Sequence, residues 1–108
     1  MAVMLWGFFL DFAFAADISN GAKIFANNCS SCHPGGGNIL IANKTLYKEA
    51  LSEYLENYNN DSIQAIIHQV KNGKSAMPAF KNKLREQEIL EVAAYTFQKA
   101  EQGWSEKS

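Results

Sequence analysis

The residues with the clearest capacity for chemistry are two cysteines followed directly by a histidine. Cys29, Cys32 and His33 form a C-x-x-C-H pattern in a chain of 108 residues that contains only these two cysteines. This pattern is typical of covalent attachment of a c-type haem, because both thiols can add to the haem vinyl groups. The two-residue spacer places both sulfurs along one porphyrin edge, and the histidine that follows points at the iron. We therefore predict one covalently bound haem c, with thioether bonds from Cys29 and Cys32 and axial ligation by His33.

Three other uses of the cysteine pair fit the sequence less well. A structural zinc site needs four ligands, and only His68 remains beyond these three residues among the cysteines and histidines. A thioredoxin-like pair should lie between a strand and a helix in a βαβ pattern, which the sequence lacks. A plain disulfide would close a very small loop and leave His33 without a role.

The second axial ligand should come from His68 or Met77. By 3.6-residue geometry, His68 points about 150° away from the centre of the apolar stripe of its predicted helix and should face water. Met77 lies in an irregular segment between Gly73 and Pro78, which can wrap a flat cofactor and aim a thioether at iron. A single methionine is more often core filler, but Met77 is the only one outside the leader peptide predicted below. The sequence therefore favours Met77.

Ligation by histidine and methionine would determine the type of function. It raises the reduction potential relative to two nitrogen ligands, and it leaves no iron position open to a substrate or to oxygen. We therefore predict a single-electron carrier and not an enzyme. A haem enzyme or gas sensor with a weakly held Met77 is the alternative from another functional class.

Helical periodicity predicts the elements that position these residues. The predicted helices span about 20–29, 45–54, 61–72 and 86–102. Pro34 and three glycines make a tight loop that lets the backbone approach a cofactor, and Ile39–Ile41 is expected to be strand-like and to lie against the core. We find no second domain, repeat or pair of strands, so the predicted fold class is all-α.

Apolar stripes mark the inward faces of the two longest predicted helices. Ala22, Phe25 and Ala26 are the expected core residues of the first helix. The stripe of the third helix is Ile63, Ile66, Ile67 and Val70, and that of the last is Ile89, Val92, Ala93, Thr96, Phe97 and Ala100. Asp61 and Gly73 supply the start and stop signals of the third helix.

Beyond these motifs, the sequence resembles the cytochrome c6 family from Ala16 to Trp104. The C-x-x-C-H motif alone indicates only a cytochrome c, whereas the block Gln69–Phe80 is much more specific. The other matching segments are Ala16-Asp17, Asn20–Ala22, Phe25, the Gly35–Asn38 loop, Asn43–Leu46, Val92–Tyr95 and Gly103-Trp104.

The resemblance implies a class I cytochrome c fold, with about four helices wrapped around one haem. It also implies His33 and Met77 as axial ligands, Cys29 and Cys32 as anchors, and Gln69 near the haem, tuning its potential. The implied role is to carry electrons from cytochrome f of the cytochrome bf complex to photosystem I, in the thylakoid lumen of a plastid or cyanobacterium. A periplasmic bacterial-type cytochrome c that donates to a respiratory oxidase or reductase is the alternative.

Five basic residues and no acid lie between positions 71 and 85. They are Lys71, Lys74, Lys81, Lys83 and Arg85. Because they flank Met77, we predict that they steer docking to acidic partner surfaces; the alternative is a merely solvated charged loop.

Lys83 stands where the family often has an arginine, and lysine cannot make the same bidentate contact. Arg85 stands in place of a serine cap, so the start of the last helix is expected to fray.

The N-terminus has the pattern of a cleaved leader. Met1–Leu10 is almost wholly apolar, and Ala13-Phe14-Ala15 matches a small-residue cleavage site. We therefore expect a signal or lumen-targeting peptide over 1–15 and a cytochrome c domain over 16–108, with an ordinary N-terminal helix as the alternative.

No apolar run reaches the ~18 residues of a membrane span. The net charge of −1 argues against a nucleic-acid binder, and a monomer is expected.

Overall fold

The structure, a computed structural model, describes residues 18–104 and is helical throughout its regular elements. The helices are α1 (18–28), α2 (Lys48–Tyr54), α3 (Ser62–Asn72) and α4 (Glu86–Gln102), with a 3₁₀ turn at Pro34–Gly36. Between residues 18 and 104 there is no strand, only an isolated bridge between Lys74 and Met77. The predicted all-α fold is confirmed. The leader predicted over 1–15 lies outside the described residues.

Helix α3 begins and ends where its local sequence requires. The Asp61 carboxylate accepts a hydrogen bond from the Gln64 N–H at 3.3 Å, which satisfies a donor of the first turn. At the other end, Gly73 has a φ of 68°, and its N–H donates to the Gln69 carbonyl oxygen at 2.7 Å. Both capping predictions are therefore confirmed, and α3 delivers the chain directly into the segment that carries Met77.

Three helices, α1, α3 and α4, form most of the core. On α4, Ile89 and Val92 are each 1% exposed and Ala93 is fully buried. The α3 stripe packs against them, with Ile66 and Val70 buried and Ile63 and Ile67 partly buried. The predicted inward faces of α3 and α4 are thus confirmed. In the part of the chain that the structure describes, no helix is both long and apolar enough to cross a bilayer.

Helices α1 and α4 cross closely at Gly21. A Cβ atom at this position would overlap the carbonyl oxygen of Glu91, so only glycine allows the two backbones to approach. The Glu91 side chain is buried at this crossing and accepts hydrogen bonds from Asn20 and from Gln87, the latter at 3.2 Å. The amide donors of Asn20 and Gln87 compensate for the removal of this carboxylate from water.

Three sequence predictions are wrong in and around this core. Ala26 of α1 is exposed, and Ile24 is buried in the same helix instead. Ile39 and its neighbours form an exposed turn and not a strand against the core, because Asn38 Oδ1 accepts hydrogen bonds from the next backbone N–H groups. Helix α2 also begins at Lys48, three residues later than expected.

The first turn of α4 is capped from within the helix. Arg85 makes no side-chain cap, as its residue type suggested, but its backbone N–H donates to Glu88 Oε1 at 2.8 Å. This contact, which the sequence analysis overlooked, counters the expected fraying. The same hydrogen bond lowers the pKa of the Glu88 carboxyl below its ordinary value.

Substituting Glu88 by glutamine should make the stability of the protein less sensitive to acid. Because the pKa of Glu88 is lower in the folded than in the unfolded chain, its contribution is present above the unfolded pKa and is lost as the pH falls through the folded one. Denaturant unfolding from pH 7 downward should show the wild type losing free energy of unfolding relative to Glu88→Gln below about pH 5. Glu53→Gln, at an exposed position of α2, is the control. Parallel curves for wild type and Glu88→Gln would contradict this role of the carboxylate.

Candidate functional site

The two cysteines lie on the turn that ends α1. The Cys29 N–H donates to the Phe25 carbonyl at 2.8 Å, so this cysteine still continues the helix. The N–H groups of Cys32 and His33 then both donate to the Cys29 carbonyl, at 3.2 and 2.9 Å. The two cysteines are not joined in a disulfide, and Cys29 is partly buried whereas Cys32 is exposed. The winding of one tight turn therefore brings two thiols and an imidazole together.

The Cys29 thiol is not activated as a nucleophile. Burial, and secondarily the neighbouring Cys32, raise its pKa to about 11. Redox-active C-x-x-C pairs depend on the opposite shift, since a lowered pKa supplies the reactive thiolate. The surroundings of Cys29 thus disfavour the thioredoxin-like alternative.

The imidazole of His33 is oriented by a specific carbonyl. Its Nδ1 lies 2.8 Å from the Gly37 carbonyl oxygen, so Nδ1 carries the proton and donates to this oxygen. The other ring nitrogen, Nε2, then keeps the lone pair that a metal requires. The 3₁₀ turn fixes this carbonyl, because the Gly37 N–H donates to the Pro34 carbonyl at 3.0 Å. The identity of this carbonyl follows from the fold of the loop, since the C-x-x-C-H spacing alone does not specify it.

Met77 is held in a narrow hairpin. The backbone groups of Lys74 and Met77 exchange two hydrogen bonds of 3.0 and 2.9 Å. A Cβ atom at Gly73 would crowd the Met77 carbonyl and the Pro78 backbone, so the chain can turn back here only at a glycine. The Met77 side chain is partly buried against the core. Gln69 Nε2 lies 3.7 Å from its sulfur and donates to it, so Gln69 and Met77 share one site.

His68, the other candidate ligand, is placed outside this site. Its side chain is exposed on α3, and its ring nitrogen Nδ1 lies 3.3 Å from Asn72 Nδ2. The prediction that His68 faces water is confirmed.

The donors present fit a c-type haem. Two thiols on one turn suit two vinyl additions, the fixed tautomer of His33 presents Nε2, and the hairpin presents a partly buried thioether. Covalent haem attachment with histidine and methionine ligation requires these donors, together with a carbonyl that orients the histidine ring as the Gly37 carbonyl does.

The C-terminus of the described chain holds the histidine loop in place, a role that the sequence analysis did not assign. Trp104 Nε1 donates to the Leu46 carbonyl at 2.9 Å, and the Leu46 N–H donates to the Gly36 carbonyl at 2.7 Å. The Trp104 ring packs 5.2 Å from the Phe25 ring, and a Cβ atom at Gly36 would overlap the indole. In the sequence, Gly103-Trp104 is only one of the segments that match the family. Its contact with Leu46 spans 58 residues, and no local pattern reveals it.

The basic residues around Met77 are not equivalent. Lys71 pairs with Glu86 at 3.2 Å and Arg85 with Glu88 at 3.6 Å, so a neighbouring carboxylate offsets each of these charges. Lys83 Nζ lies 5.2 Å from the centre of the Phe80 ring. Lys74, Lys81 and Lys83 are exposed. The cations best placed to act on a partner are therefore these three lysines.

Comparisons with known proteins find similar chains. Residues 16–95 match the family model described as cytochrome C oxidase, cbb3-type, subunit III. The chain is 53% identical over 93 residues to cytochrome c6 of Thermosynechococcus vestitus, covering 86% of this chain and 80% of that protein. It is 54% identical over 92 residues to cytochrome c6 of a Nostoc species, covering 85% and 79%. The structure matches crystalline cytochrome c6 of the diatom Phaeodactylum tricornutum with a TM-score of 0.76 and 47% identity, covering 81% of this chain and 98% of that one.

Proposed function

The chain belongs to the cytochrome c6 family, and on this premise we propose that it carries electrons from cytochrome f of the cytochrome bf complex to photosystem I in the thylakoid lumen. It has the class I cytochrome c fold, it is an electron carrier, and it carries one covalently bound haem c. In this proposal, residues 1–15 direct export and are removed, and the domain over 16–108 works as a monomer.

The proposed site assigns a separate task to each residue type. Cys29 and Cys32 would hold the haem through thioether bonds, and the Nε2 atom of His33 and the sulfur of Met77 would bind its iron. Gln69, which donates to the Met77 sulfur at 3.7 Å, sets the polarity beside that ligand. The observation that carries the proposal is the His33 Nδ1 contact with the Gly37 carbonyl, because it fixes the ring in the tautomer that a metal ligand needs. When bound, the haem supplies an iron that takes up and releases one electron.

These residues favour electron transfer over catalysis of bond chemistry. Both axial positions are assigned to protein side chains, and the Met77 hairpin is fixed by Gly73 and by the paired hydrogen bonds to Lys74. A side chain held in this way resists displacement by a substrate or a gas. We therefore propose that the protein is not an enzyme.

One observation favours a second candidate. The matching family model takes its description from a subunit of a cbb3-type oxidase. A periplasmic carrier that donates electrons to a respiratory oxidase would use the same iron ligands and differ only in its partner. Parallel assays with photosystem I and with a terminal oxidase separate the two roles.

The experiment is flash-induced reduction of photosystem I by the purified haem protein. We expect fast reduction that slows as the ionic strength rises, because the exposed lysines near Met77 attract an acidic partner surface. Lys74→Glu and Lys83→Glu should each slow the reaction several-fold at low salt, with less effect at high salt. A small and quickly released interface is expected, since electron carriers form weak complexes.

The matched control is Lys23→Glu, which makes the same charge change on α1 at an exposed position outside the basic run. It should leave the rate nearly unchanged. Lys71→Glu should have a weaker effect than Lys74→Glu, because Glu86 already offsets the charge of Lys71. The proposal that these lysines form a docking surface would be refuted if the rate of photosystem I reduction did not change with ionic strength. It would also be refuted if neither Lys74→Glu nor Lys83→Glu slowed the reaction. Fast electron donation to the oxidase alone would refute the photosynthetic role.

A further inference from the structure

We propose that Asn38 is a positioning residue of the haem site: its side chain holds the segment 39–44 so that the side chains of Ile39, Leu40 and Ile41 cover the haem beside Cys32. This inference rests on the haem attachment proposed above and extends it to a residue that binds neither the iron nor the porphyrin. It concerns how the polypeptide keeps water from the cofactor.

The side chain of Asn38 makes three hydrogen bonds to the backbone of this segment. Its Oδ1 accepts from the N–H groups of Leu40 and Ile41, at 2.9 and 2.8 Å. Its Nδ2 donates to the carbonyl oxygen of Lys44 at 2.9 Å. Both ends of the segment are thereby fixed to one amide group, so the segment has a defined shape although it belongs to no helix or strand.

The segment so held is strongly apolar and lies at the attachment turn. Ile39, Leu40 and Ile41 are 63%, 59% and 44% exposed on the polypeptide surface. Three consecutive aliphatic side chains in a fixed and exposed turn are unfavourable in water, and such a patch marks a contact surface. The backbone N–H of Ile39 donates to the carbonyl of Cys32 at 3.0 Å, which places the start of the patch beside an attachment cysteine. Because the haem would be attached through the Cys32 thiol, it is the occupant that we assign to this patch.

Asn38 also follows directly after the carbonyl that orients His33. The peptide that joins Gly37 to Asn38 contains the oxygen 2.8 Å from His33 Nδ1. Loss of the Asn38 hydrogen bonds would therefore loosen both the apolar turn that covers the haem and the Gly37 carbonyl that orients His33. Greater access of water stabilises the more highly charged oxidised iron site, so the reduction potential should fall.

The test compares Asn38→Ala, Asn38→Ser and Asn43→Ala in the haem-loaded protein. We expect the Leu40 and Ile41 amides of Asn38→Ala to exchange with solvent roughly five- to tenfold faster, as the loss of one hydrogen bond each implies. We also expect its midpoint potential to shift downward. Serine can accept from the same backbone donors more weakly, so Asn38→Ser should be intermediate in both measurements. Asn43 bonds Tyr54 Oη at 2.9 Å from the same loop, and Asn43→Ala should leave the potential unchanged.

Several outcomes would overturn the proposal. One is faster exchange of the two amides with an unchanged potential, and another is unchanged exchange. An equal shift of the potential in Asn43→Ala would show that any disturbance of the loop suffices. The mass of each protein reports covalent haem independently, so a wild type without attached haem would instead refute the proposed attachment at Cys29 and Cys32.

Discussion

Reduced protein in which Met77 is replaced by alanine is expected to bind carbon monoxide, whereas the reduced wild type is not. Alanine has no donor atom, so one axial position becomes accessible once the thioether is removed. The midpoint potential should fall by on the order of 0.1 V or more, since axial ligands set haem potentials over a range of roughly 0.8 V. The weak absorption band that reports methionine bound to oxidised iron should disappear. Absorption spectra with and without carbon monoxide, together with a redox titration, measure all three effects.

His68→Ala is the matched control for this substitution. His68 was the competing candidate ligand, and its side chain is exposed on α3 beside Asn72. Its removal should leave the spectrum, the potential and the lack of carbon monoxide binding unchanged. If His68→Ala opened the iron and Met77→Ala did not, the assignment of the axial ligand would be wrong.

Gly21→Ala is expected to cause a large loss of stability at a position away from the iron ligands. The added Cβ would overlap the Glu91 carbonyl and lie 2.9 Å from the Tyr95 Cβ, so α1 and α4 must move apart. We expect a loss of about 2–3 kcal/mol in the free energy of unfolding, the usual upper range for overpacking. This loss lowers the melting temperature of a domain of this size by roughly 10–20 °C. Thermal and denaturant unfolding of the haem-loaded protein measure it.

Gly35→Ala is the control for this substitution. It shows how much stability is lost when a glycine is replaced where no steric overlap results. Gly35 has a φ of 59°, but a Cβ there would meet nothing within 4 Å. Its substitution should cost only about 1–2 kcal/mol of backbone strain. At Gly21 no positive φ is involved, and alanine is intrinsically favoured by about 1 kcal/mol in a helix. Equal or greater stability of Gly21→Ala relative to the wild type would therefore show that the helices do not cross as closely as described.

The chemistry of the site was predictable because its pattern is local. Cys29, Cys32 and His33 are brought together by a single turn of backbone, and their spacing alone predicts that arrangement. Helices α3 and α4 were predictable for a related reason, since 3.6-residue periodicity and end signals such as Asp61 act within a few residues. The family resemblance, confirmed by the comparisons, supplied the fold around them.

Predictions failed where an outcome depended on competition between local preferences. Ile39–Ile41 has the composition of a strand, but the Asn38 side chain binds its N–H groups and turns it. Arg85 is a poor cap by residue type, but Glu88 accepts from its backbone. In both cases a nearby polar side chain accepts hydrogen bonds from backbone N–H groups. Helix and strand propensities do not include such local hydrogen bonds.

The sequence by itself determined which groups could hold the haem and which helices flank them, because these depend on neighbours along the chain. Only the tertiary structure decided that the Gly37 carbonyl orients His33, that Gln69 meets the sulfur of Met77, and that Trp104 closes the loop over Gly36. Such contacts depend on how the turns and helices pack in three dimensions. The spacing of residues along the chain limits which residues can make each contact, and the packing of the turns and helices determines which of them do.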